Sequence, residues 1–131
     1  MFKALITTTV LSLAPLVAVA DEMTDVISDQ LQAFQKRDVG TAWDYASPMI
    51  QGQFVDPRTF AHIVEQGYGP IWNNATVRFG IAMAKEGRVR QTVIVTDQTG
   101  QTQGYEYDMI ETDAGWKVNG VRPIDLPDIA V

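Results

Sequence analysis

Between residues 76 and 121 the apolar side chains fall on alternate positions through four successive runs, separated by glycine-containing turns. That period belongs to an antiparallel sheet with one covered face. Val77, Phe79, Ile81 and Met83 share one face of the first run, with Thr76, Arg78, Gly80 and Ala82 on the other. In the second run Val89, Gln91, Val93 and Val95 alternate with Arg90, Thr92, Ile94 and Thr96. Tyr105, Tyr107 and Met109 alternate with Glu106, Asp108 and Ile110 in the third, and Trp116 and Val118 with Lys117 and Asn119 in the fourth. Because successive strand side chains point to opposite faces, the pattern predicts one apolar, aromatic face and one charged face.

Upstream the period changes from strand-like to helical. Met23, Val26, Ile27, Leu31 and Phe34 form a stripe at helical spacing over residues 23–37, with acids gathered early and bases late, as the helix dipole favours. Asp38 is placed to cap a short helix through Thr41, Ala42, Trp43 and Tyr45. Ser47-Pro48 and Asp56-Pro57 repeat one start signal, a capping side chain followed by a proline at the first helical position. The second opens a helix with Phe60, Ile63 and Val64 on one face and Gly67 as its stop, and Tyr68-Gly69-Pro70 makes a turn toward the sheet. Helices first and a curved meander afterwards make an α+β plan: N-terminal helices bury their stripes against the apolar face of a four-stranded antiparallel sheet, in a cone with room for an internal pocket.

Composition narrows the function classes. A chain of 131 residues carries one core. It holds no cysteine and a net charge of −6, which excludes thiolate chemistry and disulfides and argues against a nucleic-acid partner. Lys3, an apolar stretch over residues 4–19 and Ala18-Val19-Ala20 before Asp21-Glu22 have the order of a cleaved secretory leader. The reading is therefore a signal peptide over residues 1–20 and a single domain over 21–131, periplasmic or secreted after cleavage following Ala20, with no stable membrane insertion afterwards.

The run Gln30-Leu31-Gln32-Ala33-Phe34, the block 42–50 containing Ala46-Ser47-Pro48, and Phe54, Phe60, Val64, Gly67-Tyr68 and Pro70 resemble a family of small exported bacterial proteins known as a domain of unknown function, number 4864. Gln91-Thr92-Val93, Asp97, Gly100, Tyr105 and Gly115-Trp116-Lys117-Val118-Asn119-Gly120 continue the resemblance over nearly all of the residues after the leader. That family looks like a branch of the nuclear-transport-factor-2-like (SnoaL-like) superfamily. The resemblance implies the cone fold, and leaves open isomerases, dehydratases, cyclases and many non-catalytic modules.

The candidate chemistry is sparse. His62 is the sole histidine and lies off the apolar stripe of its helix, so no metal site or other cofactor site is expected. Glu106 and Asp108 are expected on the outer face, and Asp38 and Asp56 as caps. Tyr105, Tyr107 and Gln91 are expected on the inner face, bordered by Tyr45, Tyr68 and Trp72, and these six are the candidate ligand-binding set. They point to a non-catalytic module for a small apolar ligand or a partner protein. The alternative is a small isomerase, dehydratase or cyclase using an inward carboxylate and a tyrosine, for which Asp44 and Glu111 are the candidates. A homodimer through the exposed sheet face is a further possibility. Asn74-Ala75-Thr76 matches a glycosylation sequon without meaning in a bacterial protein.

Overall fold

A computed structural model describes residues 16–125. Five helices, α1 (Leu16–Gln35), α2 (Val39–Asp44), α3 (Pro48–Phe54), α4 (Pro57–Gly67) and α5 (Gly69–Trp72), precede four strands, β1 (Asn74–Lys85), β2 (Arg88–Asp97), β3 (Thr102–Thr112) and β4 (Gly115–Ile124). The strands form one antiparallel meander in the order β1-β2-β3-β4. This is the α+β arrangement expected. Most of the leader reading, residues 1–15, lies outside the described residues. Among the described residues no helix is long and apolar enough to cross a membrane.

Local chemistry starts and stops the elements as the sequence suggests. The Asp38 and Asp56 carboxylates accept from the amides of Thr41 and Thr59 at 3.3 and 2.8 Å; the Thr41 hydroxyl, donating to Asp38 at 2.7 Å, followed by the Thr41 amide, and the Thr59 amide at Asp56 favour the charged forms and hold both carboxyls below their ordinary pKa. Ser47 Oγ accepts from Ile50 N at the start of α3, with Pro48 in the first turn. Glu86 and Gly87 both take positive φ, 53° and 76°, between the paired Lys85 and Arg88. Such a two-residue turn matches the twist of the flanking strands. The helix expected over 23–37 is instead Leu16–Gln35, which places Asp21, Glu22 and Asp25 inside it rather than in its first turn. Arg37 has already left the helix, at φ 57°.

The core lies between the helices and the inner sheet face. Met23, Ile27, Leu31 and Phe34 from α1 meet Val93, Val95, Tyr105, Tyr107, Met109, Trp116 and Val118 from the sheet, all buried. Buried Asn74 ties the layers together: its side-chain amide donates to Leu31 O at 2.9 Å and Ile71 O at 2.7 Å, and its carbonyl oxygen accepts from Gln35. With those bonds made inside the core, the sequon asparagine cannot present its side chain to a glycan.

The strand registers shift at three places, at the start of β1 between Asn74 and Thr76 and at two that decide which side chains face the core. The register of β1 against β2 shifts between Phe79 and Ala82, a β-bulge, after which Ala82 and Ala84 oppose Gln91 and Val89. An inserted residue reverses every face beyond it. Ile81 and Met83 were expected inside; they are exposed, at 73% and 68%. Phe79, just before the bulge, is half-buried against the core and not a full core residue. In β4 a shift between the partners of Asp108 and Met109 turns Asn119 inward, where it is buried and accepts a 2.7 Å hydrogen bond from Ser47 Oγ.

Candidate functional site

A cavity of about 220 Å³ opens between the helices and the sheet. Its walls come from Gln30 and Phe34 of α1, Ala46, the α3 residues Ile50, Gln53 and Phe54, Phe60, Ile63 and Val64 of α4, then Tyr68, Ile71, Tyr107, Val118, Gly120 and Val121. Gln53 and Ile63 are solvent-exposed and mark the mouth. Helical spacing puts Ile50 with Phe54, and Phe60 with Ile63 and Val64, on the faces that line it. Phe34, Trp43 and Phe54 surround Phe60, with ring centroids 5.9, 5.6 and 6.3 Å away.

Among the described residues no aspartate, glutamate, histidine, lysine or arginine lines this cavity. Its polar groups are few and mostly engaged. The Gln30 amide donates to Ala42 O at 3.1 Å, and Tyr68 Oη donates to Val121 O at 3.2 Å. Tyr107 is wholly buried, and its hydroxyl has no hydrogen-bond partner among the described residues. Burial first, then the neighbouring phenols of Tyr105 and Tyr68, raises the Tyr107 pKa well above the ordinary phenol value. Tyr105 is pushed up to about 12, again by burial first and then by Tyr68 and Asp97. Both phenols are therefore neutral across the physiological range, able to hydrogen-bond but not to act as phenolate bases.

Of the six expected ligand-binding residues, Tyr68 and Tyr107 reach the cavity wall and four stand elsewhere. Tyr105 packs behind Tyr68, ring centroids 6.4 Å apart. Gln91 is buried, but its amide donates to Gly80 O at 3.0 Å and Thr92 O at 2.9 Å, fastening the β1 bulge. Trp72 stacks under the Arg37 guanidinium, 4.0 Å from its ring centroid, and against Phe34. Tyr45 faces outward and donates to Asp29 Oδ2 at 3.3 Å. The two carboxylates considered for catalysis are also outside: Asp44 is exposed, its backbone oxygen accepting from Lys117 Nζ at 2.8 Å, and Glu111 is exposed at the end of β3 opposite Trp116. His62 is exposed, as helical phase suggested. Glu106 and Asp108 stand on the outer face, paired with Arg122 and Arg88. They border a second, shallow depression whose charges neutralise one another.

The residues missed in advance are Gln30, Ile50, Gln53, Phe54 and Ile63. A signal existed for Gln30, a polar residue in phase with Ile27 and Phe34 on an apolar stripe. Among the described residues no cluster of three or more histidines or carboxylates could hold a metal ion.

The fold is shared with a crystal structure from Campylobacter jejuni described as that of an NTF2-like transpeptidase, with a TM-score of 0.54 and 12% sequence identity, covering 75% of this chain and 97% of that one. At that identity the likeness speaks for the nuclear-transport-factor-2-like fold alone. Among curated proteins no relative matches the chain. Residues 18–131 match the family described as a domain of unknown function, DUF4864, and with the match spanning nearly the whole domain, the chain belongs to that family.

Proposed function

We propose that this protein is an exported binding module that encloses a small neutral apolar molecule, or an apolar side chain of a partner, between α1, α3, α4 and the inner face of β3 and β4. The observation that carries this reading is the chemistry of the cavity wall. Its surface is mainly aliphatic and aromatic, with no charged side chain among the described residues. A charged ligand would lose its hydration there without gaining a counter-charge. A proton-transfer enzyme would need an inward acid or base, and Asp44 and Glu111 are both exposed away from the cavity. Size limits the ligand further: about 220 Å³ exceeds the roughly 150 Å³ cavity that accepts benzene and falls below the 300–1,000 Å³ of drug-sized pockets. A single ring with a short substituent, or a short branched chain, fits that volume. Export is supported by the order of charged end, apolar run and Ala18-x-Ala20 in the sequence.

Thermal unfolding of the protein without residues 1–20, in the presence of neutral monocyclic compounds, tests the reading. Binding to the folded state alone raises the midpoint, and Val64→Phe, which fills the cavity, is expected to remove that rise while leaving a cooperative transition. A rise that survives Val64→Phe places binding outside the cavity. Turnover of enolisable ketones or β-hydroxy carbonyl compounds that disappears in an Asp44→Asn, Glu111→Gln double variant overturns the reading in favour of an enzyme.

A further inference from the structure

Beyond the bulge, residues 80–85 of β1 are exposed on both faces. The described helices do not reach this far, and β1 is an edge of the sheet, so among the described residues one side of its backbone has no strand beside it. The opposite edge is treated differently: Val118 of β4 pairs with the chain itself, its amide donating to Tyr45 O and its oxygen accepting from Ser47 N, both at 2.9 Å. Natural sheets seldom leave a long apolar edge bare, because it is a template for another strand.

The bare arm also has its own charge. Residues 78–90 carry four cations, Arg78, Lys85, Arg88 and Arg90, against the single acid Glu86, a local net of +3 in a chain of −6. Cross-strand pairing of Met83 with Arg90 and of Lys85 with Arg88 puts these residues on the outer face, together with Ile81. Arg88 is matched by Asp108, and Arg90 only loosely by Glu106, at 4.0 Å. Arg78 and Lys85 have no ion-pair partner among the described residues.

From this combination we infer that the β1–β2 arm docks an acidic, extended segment of a partner protein, added as a strand along the free edge of β1. Ile81 and Met83, two residues apart, receive its apolar side chains, and Arg78 and Lys85, on the same face of β1 to either side of them, meet its carboxylates, with Arg90 one strand further in. Two features select this occupant. The unpaired backbone of an edge strand is satisfied by another backbone and not by a hydrocarbon surface. The opposite sign of the arm from the rest of the chain draws an acidic partner here and repels it elsewhere.

The test is fluorescence polarisation with a labelled peptide of about eight residues, an ordinary strand length, that carries glutamate, valine, valine and glutamate at every second position, on one face, with threonine between, against a counterpart with lysine in place of glutamate. The acidic peptide is expected to bind, more weakly as salt is raised, and the basic one not to bind. Arg78→Glu with Lys85→Glu should raise Kd about tenfold or more, and Ile81→Ser with Met83→Ser several-fold; all four positions are exposed, and circular dichroism checks that both variants fold. N-methylation of alternate peptide amides should abolish binding if strand addition is the mode. Equal binding of the two peptides, no binding of either, or indifference to both double variants overturns the inference. So does binding of phosphatidylglycerol vesicles without binding of the peptide, which would assign the arm to an anionic membrane surface.

Discussion

The two ends of the sheet differ in what covers them. Toward β3 and β4 the inner face is roofed by α1, α3 and α4, the outer edge is paired with residues 45–47, and Tyr107, Met109, Trp116 and Val118 are buried. Toward the tip of β1 and β2 the same alternating kind of sequence stands bare, with Ile81 and Met83 largely in solvent. Alternation specifies a strand and its two faces; whether a face becomes core depends on whether another element reaches it. The covered end provides a cavity and the bare end a free edge, and each half of the functional reading rests on one of them.

The largest expected effect breaks the covered end. Trp116→Ala removes a buried indole from beneath the helices and should cost about 3–5 kcal/mol, measured as a shift of the denaturant midpoint. Gln91→Ala attacks the boundary between the two ends, removing the amide that holds Gly80 O and Thr92 O. It should cost about 1–3 kcal/mol, and hydrogen exchange should quicken in residues 79–85 before it does in β3 or β4.

A smaller effect of opposite sign is expected at the cavity. The Tyr107 hydroxyl is buried without a partner among the described residues, so Tyr107→Phe should leave stability unchanged or raise it by up to about 1 kcal/mol. A loss of several kcal/mol on the same denaturation curve would mean that the hydroxyl has a partner in solution. The smallest effect belongs to the bare end: Met83→Ala, at a side chain 68% exposed, should change stability by less than about 0.5 kcal/mol. The contrast between Trp116→Ala and Met83→Ala is the sharpest form of the comparison. If the two cost alike, the arm is covered in solution, and the docking inference loses its surface.

Capping was legible locally. Asp38, Ser47 and Asp56 each needed only the residues that follow within a turn, and Asp-x-x-Thr or Ser-Pro is enough to orient such a cap. The outward position of Glu106 and Asp108 was legible too, since β3 runs without a bulge against β2 and parity holds along it. The aromatic site was legible only in part. Tyr68 and Tyr107 line the cavity, but Tyr45 and Trp72 are drawn outward by Asp29 and Arg37, and Gln91 toward the backbone of β1. Those partners come from other elements, and no spacing rule names them.

Local sequence patterns were enough to place the succession of main helices and strands, the meander, the caps and the choice of Trp116, Val118 and Tyr107 for the core, because periodicity, turn residues and hydrophobicity act over a few neighbours. Packing between distant elements set the inward turn of Asn119, the exposure of Ile81 and Met83 and, among the described residues, the lack of a carboxylate in the cavity wall. A bulge is a one-residue slip stabilised by contacts distant in sequence, here Gln91 reaching Gly80 and Ser47 reaching Asn119, and one such slip reverses the faces beyond it.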